Sequence, residues 1–174
     1  MKIHIATLTL FAMSAASAFA GDVRPATSST ATPAAAAFER LKSLVGQWEA
    51  DSSIGKMQVT YELASGGHVL LEHVYAGQHD NMVTAYYLDG DKLALTHYCE
   101  LGNEPRMVAR RIDLGTGEIA FDFTGADNLA SADAQHMHSA TLRLGDANHF
   151  TAAWTLFENA KPKLTVTAQY TRVK

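Results

Sequence analysis

The chain has 174 residues, 14 Lys and Arg against 18 Asp and Glu, a formal net charge of −4 and 47% hydrophobic residues. A mildly acidic chain without a basic stripe is a poor partner for nucleic acid or an anionic membrane surface, so neither is expected as a partner. Cys99 is the single cysteine, which excludes an internal disulfide and leaves a buried inert thiol, a metal ligand or an intermolecular link.

Residues 1–20 read as an export signal: Lys2 opens it, an apolar run follows over 5–13, and Ala18-Phe19-Ala20 is a small-x-small cleavage site. The expected address is the bacterial periplasm or the medium. No run approaches the roughly 20 apolar residues of a membrane-spanning helix, so no membrane is expected after cleavage. Without Lys2 the chain keeps 13 basic and 18 acidic residues. Residues 21–37, with Pro25, Thr27-Ser28-Ser29-Thr30, Pro33 and an alanine run, read as a disordered linker. Residues 38–174 have the length of one domain with its own core.

Within that domain, Phe38, Leu41, Leu44 and Val45 take helical spacing over 38–45, and Gly46 ends the helix. Everything after it alternates with period two. Met57, Val59 and Tyr61 share one face, as do Ile119, Phe121 and Phe123; Phe150, Ala152, Trp154 and Leu156; and Leu164, Val166, Ala168 and Tyr170. Turn residues punctuate these runs at Gly66-Gly67, Asp89-Gly90, Gly115-Thr116-Gly117 and Gly145-Asp146-Ala147-Asn148. About ten strands at regular spacing predict an all-β, antiparallel up-and-down β-barrel, with the short N-terminal helix sealing one end.

Gly46-Gln47-Trp48 opens the first strand directly after the helix, and Arg172 closes the last. This resembles the calycin superfamily, lipocalins and their relatives, where a G-x-W and a late basic residue meet as the barrel closes. A longer set of segments, Met82 through Asp91, Leu95-Thr96-His97-Tyr98-Cys99, Gly102 through Met107 and His136-Met137-His138, resembles an uncharacterised family of exported bacterial lipocalin-like β-barrel domains. That resemblance covers most of residues 38–174 and implies a fold and a compartment. Nitrobindin-like haem barrels share the ten-strand plan and the G-x-W, but their other motifs are absent, so no haem-ligating histidine carries over.

The candidate site rests on two i, i+2 pairs, His97 with Cys99 and His136 with His138. Alternation points both members of a pair to one face, shared with Leu93 and Leu95 for the first pair and with Leu142 and Leu144 for the second. Alternating strand direction carries both pairs to the same end of the barrel, with Asn103, Arg106 and the long connection over 125–135. Trp48, Arg172 and the helix lie at the other end. The ligand-binding residues predicted on this basis are Tyr86, His97, Cys99, Asn103, Arg106, His136 and His138. Arg106 beside Asn103 would clamp a carboxylate. His97, Cys99, His136 and His138 have the donor chemistry of a zinc site. The plainer alternative makes the histidines core groups hydrogen-bonded to Glu72, Asn103, Arg106 or Tyr86.

Glu72 and His73 lie near the same rim, and the pattern of their strand leaves open which faces inward. His68, His79 and His149 sit near turns. Gly115-Thr116-Gly117 precedes a strand and is a hairpin, not a phosphate loop, and no G-x-S-x-G, H-E-x-x-H or P-loop occurs. The function expected is small-molecule binding, with an apolar ligand body in the barrel and a polar head at the histidine rim. Three alternatives stand beside it: a metal or haem protein using the rim, an enzyme with a rim imidazole as acid or base, and a protein-interaction module with a filled barrel.

Overall fold

The computed structural model describes residues 31–76 and 79–173, with the side chains of residues 76–81 outside the description. The expected export signal (1–20), most of the expected linker and the side chain of His79 therefore lie outside the described residues.

Helix α1 spans Pro33–Lys42. It begins at Pro33 rather than at Phe38, so residues 33–37 belong to the folded domain and not to a linker. The physical reason is local. Thr32 caps the helix by accepting a hydrogen bond from the Ala35 amide at 3.1 Å, and Pro33 sits at the first turn, where its missing N–H costs nothing. The alanines are then both good helix formers and small enough to pack: Ala34, Ala37, Phe38 and Leu41 form one buried stripe. Among the described residues, no helix is long and apolar enough to cross a membrane.

Ten strands follow: β1 Gly46–Ser52, β2 Gly55–Ala64, β3 Val69–Ala76, β4 His79–Asp89, β5 Lys92–Tyr98, β6 Glu104–Asp113, β7 Glu118–Asp127, β8 His136–Asp146, β9 His149–Glu158 and β10 Lys161–Arg172. Each pairs antiparallel with the next, and β10 returns to β1, so the sheet closes as a ten-stranded barrel. Closure leaves no edge strand to recruit another chain.

The end that holds α1 is sealed around Trp48. Its indole Nε1 donates to the Leu44 carbonyl at 2.7 Å, and Phe150 meets its ring edge-on with centroids 4.8 Å apart. Arg172, paired with Trp48 across the β1–β10 closure, lays its guanidinium 4.2 Å from the indole ring. The same guanidinium donates to three backbone carbonyls, of Val45 at 2.8 Å, Ser43 at 2.7 Å and Ala147 at 2.8 Å. These three oxygens belong to the helix exit and the β8–β9 turn, so one side chain ties the barrel seam to its plug. The glycine of the G-x-W triplet has a reason to be there: Gly46 adopts φ +128°, and a Cβ at that position would sit 2.9 Å from an Arg172 guanidinium nitrogen. Arg40 of α1 adds a hydrogen bond of 2.6 Å to the Leu114 carbonyl, fixing the helix to the β6–β7 turn.

Above this plug the lumen is filled by Tyr61, Leu70, Leu93, Leu95, Phe121 and Leu142, all essentially without solvent exposure. The sealed end and the packed middle leave only the opposite end of the lumen for a site.

Candidate functional site

β3 alternates Leu70, Glu72 and Val74 toward the lumen, which decides the question its sequence left open. Glu72 is inside, 2% exposed, while His73 turns the other way and places Nε2 3.3 Å from Glu62. A carboxyl in an apolar barrel needs hydrogen bonds. Tyr86 donates one to Glu72 at 2.6 Å, and the hydroxyls of Tyr61 and Thr84 supply others. Burial nonetheless holds the Glu72 carboxyl above its ordinary range, the hydrogen bonds offsetting only part of the desolvation. Burial also raises Tyr61, Tyr86 and Tyr170, reinforced in each case by the charge of Glu72.

His97 stands one layer above. β4 and β5 pair Thr84 with His97, and Thr84 Oγ1 lies 2.9 Å from His97 Nδ1. Either the Thr84 hydroxyl donates to Nδ1 or Nδ1–H donates to Thr84 Oγ1, so this contact engages Nδ1 and leaves Nε2 to the cavity side. Nε2 is buried and has no partner. The ring is 3% exposed and its centroid lies 5.0 Å from that of Trp154. Burial pushes the His97 pKa down to about 4, so the imidazole is neutral at physiological pH.

Glu72, Thr84 and His97 form the polar part of the wall of a cavity of about 60 Å³, whose apolar part includes Met57, Met82, Met137 and Trp154. Ile54, in the turn between β1 and β2, also borders it and is 59% exposed, which marks the side open to solvent.

The predicted residues separate into three places. His97 lines this cavity, and Tyr86 supports it from below through Glu72. His136 and His138 do not join them. β8 has a bulge between Met137 and Ser139 in its register with β9, and one extra residue inverts which face each side chain takes. Ala140 and Leu142 remain in the core, but before the bulge it is Met137 that lines the cavity.

The two imidazoles instead enter an aromatic stack. His138 lies 3.9 Å from Phe157 and 4.8 Å from Phe123, centroid to centroid. His136 Nε2 and His138 Nδ1 are 3.0 Å apart, and His136 Nδ1 is 2.8 Å from the Ala134 carbonyl. His138 is pushed down by burial and by the neighbouring His136.

Cys99 lies past the end of β5, where alternation no longer governs. It is free and half-buried, burial pushes its thiol up, and its amide donates to the Asn103 carbonyl across the β5–β6 turn at 3.1 Å.

Asn103 and Arg106 form no carboxylate clamp. The Asn103 side chain donates to the Gln135 carbonyl at 2.8 Å, and Arg106 is ion-paired with Asp127 at the surface. The connection that follows β7 is pinned at the rim by the Asn103 bond and by an Asn159 amide donating to the Asp133 carbonyl at 2.9 Å. None of its residues borders the cavity.

Two of the alternatives find no support in this geometry. Among the described residues, no group of three or more His, Cys, Asp or Glu side chains is placed to hold a metal ion, so His97, Cys99, His136 and His138 are not one zinc site. The β8 bulge takes His136 and His138 out of the lumen, and Cys99 lies past the end of β5. Haem does not fit either: a lumen space of about 60 Å³ is roughly the liquid volume of two waters, and Trp154 and the methionines occupy the room a macrocycle would need.

Sequence reasoning did not name Met57, Met82, Thr84, Met137 or Trp154 as site residues. The alternation of β2 and β9 did place Met57 and Trp154 on core faces. Nothing in the β8 sequence, which has no glycine or proline near Met137, marks the bulge. The chain matches no family model and no curated protein.

Proposed function

We propose that the protein is an exported lipocalin-like barrel that binds a small guest in the upper lumen. The apolar body of the guest lies among Met57, Val74, Met82, Met137, Trp154 and Val166, and its polar head meets His97. Three features support the lipocalin-like and exported parts of this reading: the Gly46-Gln47-Trp48 and Arg172 closure, the ten-strand closed barrel and the composition of residues 1–20.

The observation that carries the binding reading is the unpartnered Nε2 of His97 in the wall of a largely apolar cavity. A buried polar atom left unpaired costs about 1–3 kcal/mol. A guest that hydrogen-bonds to it recovers that cost while burying its own apolar surface, at about 25 cal/mol per Å². Methionine side chains have the rotamer freedom to enlarge the space around such a guest.

Phenol and benzene, compared by thermal shift, test the reading. Phenol should raise Tm more than benzene, His97→Leu should remove the difference, and Val166→Phe, which fills the cavity, should remove both shifts. If neither compound moves Tm of the wild-type protein, the lumen is a filled core and the binding reading fails.

A further inference from the structure

The cavity wall is unusual in its donors. Three of the six methionines of the chain, Met57, Met82 and Met137, border one small space together with His97, whose Nε2 is unpartnered, and the ring of Trp154. They arrive from β2, β4, β8, β5 and β9, so the barrel's closure, not local sequence, collects them.

We propose that the upper lumen is a site for a soft monovalent metal cation of the Cu(I) and Ag(I) class, with His97 Nε2 and the thioether sulfurs of Met57, Met82 and Met137 as its ligands and Trp154 against it. This rests on the reading of the upper lumen as a binding cavity and goes beyond it by giving that cavity an ion as a second kind of occupant.

Thioether sulfur is a poor ligand for zinc, calcium or magnesium and a good one for Cu(I), because soft donors select soft ions. Imidazole completes such a set as a neutral ring with its lone pair on Nε2; that nitrogen is buried and unpartnered, and Thr84 Oγ1, 2.9 Å from Nδ1, is placed to accept the Nδ1 proton when Nε2 binds a metal, as hydrogen-bond partners of metal-bound histidines do. The lining carries no Lys or Arg to repel a cation. Its one acidic group, Glu72, has no salt bridge among the described residues, and a cation in the cavity would favour its ionised form. An indole face attracts a cation through its ring quadrupole. The volume, about 60 Å³, accommodates a single ion without movement of the wall. Met107, by contrast, is fully buried on β6 and does not border the cavity, which supplies an internal control.

The test uses the full chain carrying Cys99→Ser, so that the lone thiol cannot capture the metal, titrated with Ag(I) in chloride-free buffer. Tryptophan emission, Tm and native mass are read together. The expected result is one ion per chain, a rise in Tm by mass action, and quenching that Trp154→Phe abolishes. Met82→Leu and Met137→Leu conserve volume and so should fold. Each should weaken binding by about tenfold or more, the scale seen even for outer-shell partners, while Met107→Leu should not. Competition with Cu(I) held by bicinchoninate should give the same ranking, and excess Zn(II) should not displace Ag(I).

Absence of Ag(I) binding, or binding indifferent to Met82→Leu and Met137→Leu, overturns the proposal. Displacement by Zn(II) overturns it as well. If Ag(I) fails while phenol still stabilises the protein, the metal inference falls and the lumen-binding reading stands; if both fail, both fall.

Discussion

A buried histidine held neutral makes stability depend on pH in a definite direction. His97 has a folded pKa of about 4 against an ordinary 6.5, so between those values the unfolded chain binds a proton that the folded one refuses. The stability associated with its neutral form is fully present above pH about 6.5 and is lost as pH falls toward about 4, a total of about 3 kcal/mol. Glu72 acts with the opposite sign: its raised pKa favours the folded state while the carboxyl is protonated, and that contribution is lost as pH rises through the folded pKa. Urea denaturation of wild type and His97→Gln at several pH values between 4 and 7 separates the two, because the Glu72 contribution is common to both proteins. The gap in midpoint should shift in favour of the variant as pH falls; a gap independent of pH would mean that His97 does not titrate as its burial dictates.

Among the elements, the β1–β10 closure and the β8 bulge have different jobs. Closure depends on Arg172, whose guanidinium combines a cation–π contact with three hydrogen bonds to carbonyls from separate segments. Arg172→Ala should cost about 2–3 kcal/mol in urea denaturation, from the lost ring contact and the orphaned carbonyls. Arg172→Lys should recover little, because a single ammonium cannot reproduce the fork. Phenol response should survive in both variants, since the seal and the cavity are at opposite ends. An unchanged denaturation midpoint in Arg172→Ala would show that the plug does not depend on this side chain. The bulge separates the histidines: it sends His136 and His138 into the Phe123 and Phe157 stack and turns Met137 to the lumen.

At the scale of the whole molecule, a closed barrel has no fraying edge, so its weak points are short seams. β5 and β6 are in register only from Ala94↔Val108 to Thr96↔Arg106, and β7 and β8 part company beyond Asp122↔Ser139. The β7–β8 seam opens at the end that holds the cavity and the β5–β6 seam is short toward both ends, but α1 and Arg172 hold the other end shut. Native-state hydrogen exchange should therefore be faster for amides of residues 98–104 and 124–138 than for those at mid-strand in β2, β3 and β9, and a guest in the lumen should slow it. Uniform protection around the barrel, or fastest exchange at the α1 end, would contradict this distribution of stability.

The architecture was legible in the residues because alternation, turn chemistry and strand direction are properties of the chain taken in order. Period-two runs broken by Gly and Asp turns specify an antiparallel meander, and counting strands tells which ends share a rim. Gly46-Gln47-Trp48 and Arg172 showed where the barrel closes, since a glycine beside a guanidinium and an indole under it is a chemical fit. The helix start is legible too, in Thr32-Pro33, although the alanines that follow resemble a linker in composition. The lumen's chemistry was not legible in this way. A bulge is a mismatch between two strands, settled here where His138 packs between Phe123 of β7 and Phe157 of β9, and one extra residue in β8 exchanges two imidazoles for a thioether at the cavity wall. The choice of Glu72 over His73 for the interior likewise follows from Tyr86, Tyr61 and Thr84, hydroxyls on other strands that make a buried carboxyl tolerable. Faces along one strand are a local matter; which polar group a core will accept is decided only by the partners that the closed barrel brings to it.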